Sequence, residues 1–219
     1  MGRYSRLLSP QLADFAGVRS GQRVLDVGCG PGALTSELVA RVGPAAVAAV
    51  DPSASFVAAA RERHPGVEVV QASADQLPFP ARTFDAAIAQ LVVHFMPDPN
   101  KGLAEMGRVT RRGGVVAACV WDHAGDLGPL SLFWRPARDL DPQVDDESEL
   151  PGVREGHLAS CSRRPGCTRS RRPSSGSASS TRPSMPGGSR SRRVSAPQDP
   201  TWRALAPTAR PSCAKRAEP

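Results

Sequence analysis

Short apolar runs alternate with amphipathic segments along the first 140 residues. Apolar residues recur at helical spacing in segments 33–42, 54–63, 101–110 and 129–140. Between them lie five runs that are nearly continuous in Val, Ala, Leu, Ile and Phe, namely 23–27, 46–50, 67–71, 84–90 and 115–120. Strands of this kind, alternating with helices, predict a parallel sheet that helices cover on both faces.

Three local features of the sequence predict details of individual helices. Ser53 should cap the helix 54–63, with Phe56, Val57 and Ala60 facing the core. Pro136 should disturb the helix 129–140, because proline lacks the N–H that a helix interior uses. The amphipathic start of the chain, around Tyr4, predicts either a lid over a ligand or a packing helix.

The first strand ends in a glycine-rich turn, VLDVGCGPG at residues 24–32. Gly28, Gly30 and Gly32 allow a sharp turn and a close approach of backbone to ligand, although a tight strand-to-helix turn alone explains them as well. The dinucleotide fingerprint is GxGxxG, whereas here the third glycine comes one residue earlier. Asp26 lies two residues before the first glycine, where a carboxylate would repel a pyrophosphate and suits an ammonium or sulfonium group.

Two further acids follow the next two strands. Asp51 ends the second strand, where its carboxylate could accept both hydroxyls of a ribose or, alternatively, cap the following helix. Asp75 follows the third strand, where it could accept from an adenine amino group beside the Ala74 N–H or, alternatively, lie in a surface turn. Acids at three successive strand ends favour a nucleoside ligand carrying a positive charge, because such ligands lie beyond the carboxyl ends of parallel strands.

These motifs in combination resemble the class I S-adenosylmethionine-dependent methyltransferases of the small-molecule type, over residues 4–159. FDAAIAQLVVHFMPDP resembles that family's fourth strand and following loop. The resemblance implies a Rossmann-like, doubly wound, mostly parallel α/β sheet, S-adenosylmethionine as cofactor and a small-molecule acceptor as partner. It implies the following contacts: Asp26, Gly28, Cys29, Gly30 and Gly32 with the methionine part, Asp51 with the ribose, Ala74 and Asp75 with the adenine, and Gln90 beside the methyl group.

Methyl transfer from a sulfonium mainly requires the acceptor atom to be held in line with water kept out. A general base is needed only where the acceptor must lose a proton early. His94, just past the fourth strand, is the best-placed candidate, although a pocket-lining or packed histidine is the favoured interpretation. His123 is a weaker candidate, so no catalytic residue is assigned from the sequence.

Charge divides the 219-residue chain of net charge +7 into two parts. Residues 160–219 hold 13 basic and two acidic residues, whereas residues 1–159 carry a net charge of −4. The division predicts a methyltransferase domain at 1–159 and a disordered Arg/Ser/Pro-rich tail at 160–219. Five cysteines without a CxxC pair, no apolar run long enough for a membrane span and no signal-peptide core favour a cytoplasmic protein without a metal site.

The tail departs from the family pattern, because nothing in it resembles the helix and two strands that end the family's sheet. Read in a neighbouring frame, the codons from Ser160 to Cys167 permit Leu-Phe-Glu-Ala-Ala-Gly-Leu, which continues the preceding helix pattern. The sequence therefore predicts missing C-terminal strands and a frameshifted tail. Three functions stay open: a small-molecule methyltransferase, a cofactor-binding but catalytically impaired one, and a methyltransferase-fold protein whose basic tail binds nucleic acid non-specifically.

Overall fold

A five-stranded parallel sheet forms the centre of the protein. The computed structural model describes residues 2–125, 128–153, 158, 170–171 and 206–207. All four neighbouring strand pairs are parallel, as predicted. The sheet has the order β3-β2-β1-β4-β5, from β1 (Val24–Val27), β2 (Val47–Asp51), β3 (Glu68–Gln71), β4 (Phe84–Gln90) and β5 (Thr110–Cys119).

Helices cover both faces of this sheet. The five described helices are α1 (Gly2–Phe15), α2 (Ala33–Val42), α3 (Ala54–Arg63), α4 (Pro99–Val109) and α5 (Ser131–Leu140). Leu12 of α1 and Leu38 of α2 pack with Val24 and Ile88 on one face, and Val57 of α3 covers the same face further along. Met106 of α4 packs on the opposite face. The doubly wound arrangement is therefore confirmed, and it brings the carboxyl ends of β1, β2 and β4 to one edge.

The start of α3 corrects two expectations. Ser53 occupies the N-cap position, but its hydroxyl accepts no helical N–H and instead lies 2.9 Å from the Ser55 hydroxyl. Asp51 Oδ1 accepts the Ser53 N–H at 2.9 Å, so the carboxylate orders the turn into the helix. Phe56 is 46% exposed rather than inward, because Val57 and Ala60 already fill the face of α3 that contacts the sheet.

Two expectations about the later elements are also wrong. Pro136 does not interrupt α5, which continues to Leu140, since a proline removes only one hydrogen bond of the helix ladder. Strand β5 begins at Thr110 rather than at Val115, with an irregular register opposite Phe84 and Ala86. The glycines before Val115 therefore lie within the strand as an irregularity rather than ahead of it.

Helix α5 differs from the other helices because none of its residues is buried. Leu132 and Leu140 are 83% and 89% exposed, and Leu130 and Phe133 are exposed as well. Sequence periodicity correctly predicts an amphipathic helix here, yet none of its residues belongs to a core cluster. No helix among the described residues is long and apolar enough to cross a membrane.

The five-stranded sheet ends at β5. Two further strands, β6 (Ser170–Arg171) and β7 (Ala206–Pro207), pair antiparallel as a separate sheet, and β7 lies near β5. The rest of the predicted tail lies outside the described residues. Its disorder, its frameshift, the missing strands and the domain division at residue 159 therefore stay predictions.

Candidate cofactor and acceptor site

The glycine-rich loop between β1 and α2 uses all its own backbone donors. Pro31 has no N–H, and each other residue from Gly28 to Gly32 donates within the protein. The bonds are Gly28 and Cys29 N–H to Val50 O at 2.8 and 2.9 Å, Gly30 N–H to Asp51 Oδ2 at 2.8 Å, and Gly32 N–H to Cys29 O at 3.0 Å. A pyrophosphate needs free N–H groups of this kind. These four N–H groups are therefore not available to a phosphate.

Two of these positions require glycine. Gly28 has φ +73°, and a Cβ there would overlap Val92 and lie 2.8 Å from its Cγ1. Gly32 has φ +89°, and a Cβ there would lie 2.6 Å from His64 Nε2. Both are left-handed conformations that side chains rarely adopt. The loop is thus packed between Val92, in the turn after β4, and His64, at the end of α3.

Asp26 and Asp51 place two carboxylates beside this loop. Asp26 is 1% exposed, and its Oδ2 accepts the Thr35 hydroxyl at 2.7 Å. Burial, with a smaller contribution from the charge of Asp51, raises the pKa of Asp26 to about 7, and the hydrogen bond from Thr35 opposes this shift. Buried like charges close together are unfavourable unless a cation joins them. The pair therefore favours a positively charged group in the cleft.

Cys29 lies in the same loop, and its surroundings favour the protonated thiol. Its side chain packs with Ala49 and Val57, and its thiol donates to Gly30 O at 3.5 Å. Burial, with the charges of Asp26 and Asp51, raises the pKa of the thiol far above its usual range. The thiolate needed for reactivity is thus disfavoured.

Asp75 and Ala74 lie in the loop after β3, next to the start of α4. Asp75 Oδ2 is 3.5 Å from Lys101 Nζ. A hydrogen bond from Ser73 and the Lys101 charge lower the pKa of Asp75, so it is ionised at neutral pH. Ala74 packs towards Gly102, where a Cβ would lie 3.5 Å from the Ala74 Cβ. Both residues therefore lie at the carboxyl end of β3, near the start of α4.

Gln90 connects β4 to α1. Its Nε2 donates to Ser5 O at 3.1 Å, and its Oε1 has no partner among the described residues. Leu8 and Leu12 of α1 are buried, and the Tyr4 ring meets the Trp121 ring edge-on at 6.1 Å. The N-terminal segment is therefore a packing helix, and it also forms a wall of the cleft.

His94 and His123 lie beyond β4 and β5, with ring centroids 5.7 Å apart. His94 is 3% exposed, and neither of its ring nitrogens has a hydrogen-bond partner within the described part of the chain. Burial, together with His123, lowers the pKa of His94 to about 4. His94 is therefore neutral at pH 7, as a base or a pocket-lining residue would be.

Sequence reasoning missed two residues of the site. Thr35 holds the buried Asp26, and only its place on the apolar side of α2 near Leu34 and Leu38 could have indicated it. Glu147 contacts His123, with Oε2 3.3 Å from Nδ1. No motif connects these two positions, so only the fold shows the pair.

The strand order, the acidic glycine loop and the acids beyond β1 and β2 define a class I methyltransferase domain. The family described as "Methyltransferase domain" matches residues 25–118. Residues 25–118 thus match a methyltransferase domain, and the sheet that they form has the class I methyltransferase fold. No group of metal-binding side chains occurs in the described ranges.

Several known proteins resemble part of the chain. It is 39% identical over 115 residues to 2-methyl-6-phytyl-1,4-hydroquinone methyltransferase 2 of rice, over 51% of this chain and 31% of that protein. It is 38% identical over 130 residues to phosphatidylethanolamine N-methyltransferase of Cereibacter sphaeroides, over 56% of this chain and 62% of that protein. The chain thus spans less than two thirds of either relative.

A solved structure also resembles the fold of this domain. A SAM-dependent methyltransferase from Aquifex aeolicus superimposes with a TM-score of 0.50 and 28% identity, over 54% of this chain and 66% of that one.

Proposed function

We propose that the protein transfers the methyl group of S-adenosylmethionine to a small-molecule acceptor held beyond β4 and β5. The observation that carries the proposal is the combination of a glycine loop without free N–H donors and the buried carboxylates Asp26 and Asp51. That combination disfavours a pyrophosphate and favours a cation. The two relatives described above are both named as methyltransferases of small molecules, which also supports the proposal.

The residues present fit the cofactor. Asp26 would bind its ammonium group, with Gly28, Cys29, Gly30 and Gly32 as the backbone floor. Asp51 keeps one oxygen for Gly30 and one for Ser53, and each carboxylate oxygen can accept again from a ribose hydroxyl. Ala74 and Asp75 would bind the adenine, and Gln90 would line the space beside the methyl group.

The cofactor supplies an electrophilic methyl on a positively charged sulfur. The chain holds the reacting groups in position and keeps water out. Helix α1 and the turn after β4 would line the cleft, and the carboxylates of Asp26 and Asp51 complement a positive charge in it. The hydrogen bond from Gln90 Nε2 to Ser5 O holds the Gln90 side chain in place. Its Oε1, which has no partner among the described residues, can then accept a hydrogen bond without reorientation of the side chain.

Isothermal titration of the full chain with S-adenosylmethionine and with NADH tests the proposal. We expect S-adenosylmethionine to bind and NADH not to bind, because the loop donors are occupied. Tight NADH binding without S-adenosylmethionine binding would overturn it. Binding without turnover on any acceptor would instead indicate the catalytically impaired methyltransferase.

A further inference from the structure

At the carboxyl ends of β4 and β5, five buried polar atoms have no hydrogen-bond partner among the described residues. They belong to four side chains, each no more than 9% exposed. The atoms are Gln90 Oε1, His94 Nδ1 and Nε2, Trp121 Nε1 and His123 Nε2, and none has a hydrogen-bond partner in the described parts of the chain. Buried polar groups in folded proteins are normally paired. A cluster of unpaired ones therefore indicates a place where a polar ligand completes the bonding.

Glu147 contacts the Nδ1 atom of the His123 ring. Its Oε2 is 3.3 Å from His123 Nδ1 and also accepts the Trp134 Nε1–H at 3.3 Å. A carboxylate can only accept, so this contact favours the tautomer with the ring proton on Nδ1 and a lone pair on Nε2. Gly128 also lies against the ring, where a Cβ would lie 2.6 Å from Nδ1. The Nδ1 side of the ring is thus packed against Glu147 and Gly128.

The surroundings keep His123 ready to accept a proton. Burial lowers its pKa, while the charges of Glu147, Asp122 and Asp146 oppose that shift. Asp146 is itself paired with Arg138, so Glu147 is the carboxylate in direct contact with the ring. The neighbouring His94 is neutral and adds no positive charge at pH 7. A proton taken up at Nε2 would therefore be stabilised through Nδ1 by Glu147.

We infer that His123, positioned by Glu147, is the proton acceptor for a phenolic hydroxyl in the acceptor. The inference rests on the proposed function. The phenol oxygen bonds to the methyl carbon, the carbon–sulfur bond breaks with its electron pair going to sulfur, and the hydroxyl proton goes to His123 Nε2. A carboxylate acceptor is already ionised and needs no base. An aliphatic hydroxyl is much less acidic than a phenol, whose pKa is ~10 in tyrosine, and so matches an imidazole poorly.

The ring titration tests the positioning part without turnover. Nitrogen-15 NMR of the full chain should show the His123 ring with its proton on Nδ1. Glu147→Gln should lower the His123 pKa, whereas Asp145→Asn, a nearby exposed carboxylate, should leave it unchanged. The Nε2–H tautomer, or equal effects of the two variants, would overturn the inference.

Methyl transfer to hydroquinone, with benzoate as an acceptor that needs no base, tests the proton transfer. We expect hydroquinone methylation that rises with pH through the His123 pKa, a loss of at least about 100-fold in His123→Gln, and a smaller loss with a downward-shifted pH midpoint in Glu147→Gln. S-Adenosylmethionine affinity should stay at the wild-type value in both variants, which also shows that they fold.

The outcomes separate the two proposals. Methylation of benzoate alone, of neither probe, or of hydroquinone by His123→Gln at the wild-type rate would overturn the role of His123 while leaving cofactor binding intact. Failure to bind S-adenosylmethionine would overturn the proposed function instead, and the ring titration would still decide the tautomer.

Discussion

The Gly28 backbone lies directly against the Val92 side chain, so closely that a Cβ on Gly28 would overlap it. Gly28 follows β1 and Val92 follows β4, which are neighbours in the sheet. The contact therefore joins the cofactor loop to the turn that leads to His94. A substitution at Gly28 or at Val92 would therefore shift both the glycine-rich loop and the turn that leads to His94.

Replacing Gly28 with alanine should lower the free energy of unfolding by about 2–5 kcal/mol. The left-handed conformation contributes about 1–2 kcal/mol and overpacking against Val92 about 1–3 kcal/mol. Gly17→Ala is the matched control, since Gly17 has φ +66° with nothing near its Cβ position. Denaturant unfolding should show a smaller loss for it, and equal losses in the two variants would contradict the packing term.

Asp26 should make stability fall as pH rises from about 4 to 7. Its folded pKa of about 7 exceeds the ordinary 3.8, so in this window the folded state holds a proton that the unfolded state has released. Three pH units correspond to a loss on the order of 4 kcal/mol. Asp26→Asn should remove this dependence, as measured by the denaturation midpoint against pH.

Cofactor binding should release a proton at pH 6. A positive group beside Asp26 favours its ionised form, so affinity should rise with pH up to about 7. Titration calorimetry in buffers of different ionisation enthalpy measures the release. A wild-type signal that is identical in all buffers would show that the cation does not lie beside Asp26.

Replacing Asp51 with alanine should weaken S-adenosylmethionine binding by about 1–3 kcal/mol, the effect of losing hydrogen bonds to a charged group. Asp85→Asn is the control, because Asp85 is also buried but lies near the start of β4, at the opposite end of the strands, where it accepts the Arg23 N–H at 2.8 Å. Calorimetry should give the wild-type affinity for that variant. A similar loss in both would point to general destabilisation rather than ligand contact.

His94 should make the protein sensitive to acid between pH 6.5 and 4. Its folded pKa of about 4 lies below the ordinary 6.5, so only the unfolded state binds a proton in this window. Stability is therefore lost as pH falls, by on the order of 3 kcal/mol. His94→Gln should flatten this limb of the stability curve, and an unchanged limb would mean that the ring is already charged when folded.

Replacing the exposed leucines of α5 should change solubility rather than stability. Leu132→Gln and Leu140→Gln remove apolar side chains that no core cluster contacts, so unfolding free energy should stay within about 0.5 kcal/mol. The concentration at which the protein begins to self-associate should rise. Light scattering measures this, and a large loss of stability would show that α5 packs in solution.

The sequence predicts the bounds of those helices and strands that follow from the local spacing of apolar residues. The bounds of α2 and β4 match their apolar runs residue for residue, because periodicity and flanking turn residues determine them. The inward face of α3 could not be predicted so well, since small alanines surround Phe56 and give no clear stripe. The contacts of Thr35 with Asp26 and of Glu147 with His123 join separate elements, and only tertiary packing creates them.

The occupied donors of the glycine loop also bear on the speed of recognition. A segment whose N–H groups are already bonded in the free protein does not have to be ordered when a ligand arrives. Association with such a surface is limited by diffusion and by orientation of the ligand rather than by a slow rearrangement. Differences in affinity among analogues should then arise mainly from how long each one stays bound.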